Sequence, residues 1–179
     1  MTGSNAYGAQ SGTLKVHGNK GQNDVLLSQS GVFTGSGWWA TGENPSNGGF
    51  NAIPEGNYYM NLSSRDADGP NKMNSNDSNP EANYGIQKIP DGNRLKKKDG
   101  AEYDTNRDYG NGRIRLNPMN DDYQYDQNRD RGYYLHGKGA WYNRTHGCVC
   151  DKKETVFNFF WEGAGKDVRG KVPFHVIKK

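Results

Sequence analysis

The chain has 179 residues, 23 basic against 20 acidic side chains (formal net charge +3), 25 glycines, a 31% hydrophobic share and 12% aromatics. That length predicts one domain with a modest core and long polar loops, and the aromatic content excludes full disorder. The mild charge, with "RLKKKDG" (94–100) as the only basic run, gives no clustered basic face for nucleic acid, and no apolar run approaches the ~20 residues that span a bilayer.

The opening stretch, "MTGSNAYGAQSG", has no apolar core of the kind a classical secretory signal carries. Residues 1–12 are expected to be a flexible N-terminus and 13–179 a single domain. "TLKVHG" (13–18) alternates, with Leu14 and Val16 on one face, and a Gly-rich turn leads into "VLLSQSGVFTGSG" (25–37), so the two predict a hairpin. "FNAIPEGNYYMNL" (50–62) reads as a turn at Pro54 and Gly56 followed by a strand through Tyr58 and Met60. The tract 63–83 is too hydrophilic to bury and predicts a long surface loop. Its "DADG" lacks the remaining ligand spacing of a calcium loop.

"YGIQKIPDG" (84–92) predicts a short strand ending in a turn, and "RLKKKDG" a solvated turn. "GRIRLNP" (112–118) alternates Ile114 and Leu116 with Arg113 and Arg115, a strand with one basic face. "GYYLHG" (132–137) is a further strand. "DKKETVFNFFWEG" (151–163) spaces Val156, Phe159 and Phe160 at helical intervals, with Asp151 placed to cap the start and Gly163 to end it. "KVPFHVI" (171–177) closes the chain as a strand, and His17 and His175 fall in terminal strands with no assigned role.

Between the strand at 132–137 and the helix lies most of the chain's soft chemistry: both cysteines, Cys148 and Cys150, with His136 and His146 nearby. A thiol needs its pKa lowered to act as a nucleophile at neutral pH, and a histidine base or a helix N-terminus supplies that. His136 or His146 could be the base, and the helix starting near Asp151 the dipole. Gly147 permits close substrate approach, and the Gly147 and Cys148 N–H groups could hold an oxyanion. These are the parts of a covalent acyl-enzyme mechanism. Zinc is the rival reading, through His136, His146, Cys148 and Cys150, but the one-residue spacing of H-x-C-x-C suits tetrahedral closure poorly. A Cys148–Cys150 disulfide would be a small strained ring. It could still form transiently, with Cys150 capturing an oxidised Cys148.

"LHG" (135–137) followed by "THGC" (145–148) resembles the signature of the L,D-transpeptidase (YkuD-like) catalytic domains, cysteine enzymes of bacterial peptidoglycan. "IPEGNYYM" (53–60) and "GRIRLNP" are similar to further strands of that family, so the resemblance covers roughly 13–177. It implies a mainly β, sandwich-like domain with one helix following the catalytic cysteine. It implies Cys148 as nucleophile, His136 as base, His146 lining the site, and Gly147 and Cys148 N–H groups as oxyanion donors. Thr145 matches the small position before the second histidine. Arg144, Arg113 and Arg115 are the candidates to hold a substrate carboxylate, with Gly137 beside them. No cofactor is implied, and the partners are peptidoglycan stem peptides.

The missing signal segment and the Gly/Asn-rich build resemble the L,D-transpeptidase-like toxins delivered by type VI secretion. That would imply a chain made in a bacterial cytoplasm, delivered into a periplasm, and met by a cognate immunity protein. One position departs from the family: Cys150 stands where Arg or Asn is common. A catalytically silent peptidoglycan-binding module is the expectation from another class. Papain-like enzymes place Cys before His, against the order here.

Overall fold

A computed structural model describes residues 10–18, 23–34, 53, 55–67, 85–92, 94–96, 102–119, 133–137 and 148–177. It is mainly β. The opening hairpin is β1 (Gln10–His17) antiparallel to β2 (Val25–Thr34). Their register steps from Gly12↔Val32 to Thr13↔Ser30, which leaves Gly31 as an extra residue at φ 73°. That bulge needs a left-handed residue, and glycine supplies it without a Cβ clash.

The remaining strands are β3 (Gly56–Asn61), β4 (Arg65–Asp66), β5 (Ile86–Lys88), β6 (Arg94–Lys96), β7 (Glu102–Asp104), β8 (Gly112–Pro118), β9 (Tyr133–His136), β10 (Val149–Cys150) and β11 (Lys171–Val176). A nine-stranded sheet runs β1-β2-β10-β9-β8-β3-β11, with β5 also on β8 and β4 on β5. β8 is the junction. It pairs with β9 from Arg113 to Leu116, with β5 from Gly112 to Ile114, and with β3 at Asn117 and Pro118. β9 and β10 are parallel, in register Leu135↔Val149 and His136↔Cys150.

Alternation along these strands sends Ile86, Ile114, Leu116, Leu135 and Val149 to one face, where all are buried. Helix α2 (Thr155–Trp161) covers that face with Val156, Phe157 and Phe160. The Phe157 ring lies where a Cβ on Gly112 would stand, so only glycine lets helix and strand approach this closely. Arg65 closes the far end of the helix. Its guanidinium donates to the Phe160 and Trp161 carbonyls at 3.1 and 2.8 Å and stacks on the Trp161 ring at 4.7 Å. A cation there satisfies carbonyls that the last helical turn leaves open.

Three local expectations change. The "RLKKKDG" turn contributes β6, which pairs with β7 in a two-stranded hairpin. The long loop expected over 63–83 begins with β4, whose Arg65 and Asp66 pair in parallel with Ile86 and Gln87. Residues 68–84 lie outside the described residues. A short helix, α1 (Thr105–Tyr109), precedes β8, with the Asp104 side chain accepting from the Arg107 N–H at 3.2 Å. Segments this short carry no readable period.

Candidate active site

The face of the sheet opposite α2 is polar, and the register shows why. Arg113 pairs with His136, which pairs with Cys150, and Arg115 pairs with Tyr134. Residues opposite one another in a ladder share a face, so these side chains form one row across β8, β9 and β10. Cys148 immediately precedes β10, half-buried, at the start of the strand that lies beside Leu135 and His136.

His136 is buried, and its Nδ1 lies 2.8 Å from the Gly137 carbonyl oxygen. A carbonyl only accepts, so Nδ1 carries the proton and the lone pair of the neutral imidazole is on Nε2. The Tyr109 ring meets the imidazole edge to face, with centroids 5.4 Å apart. The Gly137 N–H donates to the Tyr109 carbonyl at 2.9 Å. Gly137 is thereby anchored through its N–H while its carbonyl holds His136.

Arg113 stacks against two rings, its guanidinium 4.8 Å from the Tyr109 centroid and 4.4 Å from that of Tyr134. Its Nε donates to Gln87 Oε1 at 2.7 Å, and Gln87 Nε2 donates to Asp66 Oδ2 at 3.1 Å. The chain Asp66–Gln87–Arg113 runs from β4 to the ladder partner of His136. Arg115 is buried beside Tyr134, 5.2 Å from its ring centroid. The two arginines therefore sit on the histidine's face as braced, ring-stacked cations. Arg144, Thr145, His146 and Gly147 lie outside the described residues.

Cys150 differs from Cys148. It is buried, and its thiol donates to the same Gly137 carbonyl that holds His136, at 3.3 Å. Burial first, then the Asp151 charge, pushes its pKa up to about 12. A protonated, buried thiol is a poor capturing nucleophile and a poor metal ligand. A raised thiol pKa counts against Cys150 as the group that captures an oxidised Cys148. Neither cysteine is in a disulfide, and the described residues contain no group of three or more side chains able to hold a metal.

The expected cap, Asp151, meets the start of the helix. This buried side chain accepts from the Val156 N–H in the first turn of α2 at 3.0 Å and from the Lys153 N–H just before the helix at 3.2 Å. The formal cap position falls to Glu154, three residues later than expected. Tyr109, Tyr134, Gln87, Asp66 and Glu154 escape the sequence reading. Only Tyr134 had a usable signal, its even spacing from His136 along a strand.

The L,D-transpeptidase catalytic domain (YkuD) family model matches residues 16–153. The chain belongs to that family. The match runs from β1 through His136 and Cys148 and stops just short of α2. Comparison with curated proteins and with solved structures returned no match. Members of the L,D-transpeptidase family are cysteine enzymes of peptidoglycan, and the mainly β sheet with few helices is consistent with such a domain.

Proposed function

We propose that this domain is a cysteine acyl-transfer enzyme acting on peptidoglycan stem tetrapeptides, with Cys148 as nucleophile and His136 as base. The observation that carries the reading is the His136 Nδ1–H held on the Gly137 carbonyl, on the sheet face next to a half-buried Cys148. A histidine fixed in that tautomer presents the basic nitrogen a thiol needs.

In the reaction, His136 Nε2 takes the Cys148 proton. The thiolate then attacks the carbonyl of the third stem residue, a diamino acid. The bond to the terminal D-Ala breaks, the imidazolium protonates the departing amine, and a thioester remains. Water resolves the thioester to a tripeptide; a D-amino acid amine resolves it to an exchanged tetrapeptide. His146 lines the site, Gly147 and Cys148 N–H groups hold the oxyanion, and Arg113, Arg115 and Arg144 offer positive charge to the substrate carboxylates. Thr145 and Gly137 are further candidates for substrate contact.

The biological reading is an antibacterial effector that reaches a periplasm by a non-classical route such as type VI secretion, with an immunity protein protecting the producer. Its support is the chain's Gly/Asn-rich composition. Removal of tetrapeptide donors, which feed cross-linking, is the outcome such an effector gains most from. L,D-carboxypeptidase action is therefore the main activity, with D-amino acid exchange second.

Mass spectrometry of muropeptides from sacculi incubated with the protein tests this. The expected result is loss of disaccharide tetrapeptide with gain of tripeptide, and incorporation of an added D-amino acid. New 3–3 dimers without tripeptide would make it a transpeptidase instead. Unchanged muropeptides with measurable sacculus binding would leave a binding module.

A further inference from the structure

Glu154 occupies the position before α2 without doing the work of a cap. Its side chain makes no capping hydrogen bond, and its backbone is left-handed at φ 55°, ψ 23°. Among the described residues it is the only non-glycine with positive φ. A side chain pays strain in that region, so such a residue persists where surrounding structure holds it there, and these sites cluster around function.

The side chain shows what holds it. Glu154 Oε1 accepts from the Asn111 backbone N–H at 2.7 Å, and Oε2 accepts from Asn111 Nδ2 at 2.9 Å. The same carboxylate fills the volume where a Cβ on Gly137 would stand. Asn111 belongs to the turn between α1 and β8, and Tyr109, the last residue of α1 before that turn, makes two contacts to the His136–Gly137 pair. The Tyr109 carbonyl takes the Gly137 N–H, and the Tyr109 ring lies edge-on to the imidazole. One carboxylate thus ties together the helix after Cys148, the turn behind His136, and the glycine whose carbonyl fixes the imidazole tautomer.

We infer that Glu154 is a positioning residue for His136. It acts through Gly137 and the 109–112 turn, and the left-handed backbone aims it there while Asp151 caps the helix. The inference rests on the reading of His136 as the base.

Three variants separate positioning from folding. Glu154→Gly accepts the left-handed backbone without strain and removes the carboxylate. It should melt at or above the wild-type temperature, yet lose roughly 10- to 100-fold in kcat with KM little changed, the scale of a misplaced catalytic group. Glu154→Gln keeps the size and one acceptor and should recover part of that loss; Glu154→Asp, too short to reach Asn111, should not. Imidazole ¹⁵N chemical shifts of His136 give a readout that needs no substrate. The wild type should show the Nδ1–H tautomer, and Glu154→Gly a mixture of tautomers. A folded Glu154→Gly with wild-type His136 shifts and wild-type kcat would overturn the inference. If the wild type turned over no muropeptide, the functional reading would fall while the tautomer shift would still decide the role of Glu154.

Discussion

The two faces of β8, β9 and β10 are built from alternate residues of the same short strands and behave as different materials. One carries Ile114, Leu116, Leu135 and Val149, buried under α2, where stability comes from apolar area removed from water. The other carries Arg113, Arg115, Tyr134, His136 and Cys150, where hydrogen bonds and ring-stacked cations fix orientation. A one-residue slip of β9 would exchange them. The apolar face therefore does more than stabilise: by pinning register, it fixes which side chains stand beside Cys148.

That contrast can be broken face by face. The largest effect belongs to Cys148→Ala, which should abolish turnover, both tripeptide formation and D-amino acid exchange, while leaving the melting temperature almost unchanged. Next is His136→Ala, expected to lower kcat by about 10²-fold or more, the scale of lost general-base assistance; steady-state kinetics on purified tetrapeptide measures it. On the apolar face, Leu135→Ala should cost about 2–5 kcal/mol in denaturant unfolding, because it opens a cavity in a fully packed site. Turnover per folded molecule should change little. A Leu135→Ala protein of normal stability would mean that Leu135 is not part of a tightly packed apolar face.

The smallest effect sharpens the difference between the two thiols. Cys150→Ser should keep most of the activity, since a hydroxyl can still donate to the Gly137 carbonyl. Iodoacetamide at pH 8 should label Cys148 far faster than the buried Cys150. The Cys150 pKa is raised in the folded state, from the ordinary 9.0 to about 12. Between those values the unfolded chain has lost a proton that the folded chain keeps, so stability falls as pH rises through that window and is fully present below it. Cys150→Ser has no such thiol, and its urea midpoint should fall less between pH 8 and pH 11 than the wild type's.

Much of this arrangement could be read along the chain. The alternation of "GRIRLNP" and "YYLH" marks β8 and β9 and places Arg113, Arg115, Tyr134 and His136 on one side of each strand. The spacing of Val156 and Phe160 marks the helix, although Phe157 is buried beside them and Phe159 only partly. What stayed hidden was hidden for physical reasons. β10 has two residues, too few for a period, and its place between β2 and β9 is set by hydrogen bonds to strands far off in sequence. The contact of Tyr109 with His136 joins residues with no common pattern. Glu154 looks like an ordinary solvent-facing helix residue until its backbone conformation is seen.

The most direct test of the central claim is to catch the acyl-enzyme. Rapid mixing with disaccharide tetrapeptide, acid quench and peptide mapping by mass spectrometry would locate the thioester. A tripeptidyl adduct is expected on the peptide that leads into β10, assigned to Cys148 by fragmentation, present in Cys150→Ser and missing in Cys148→Ala. An adduct on Cys150, or tetrapeptide consumed by Cys148→Ala at the wild-type rate, would contradict it.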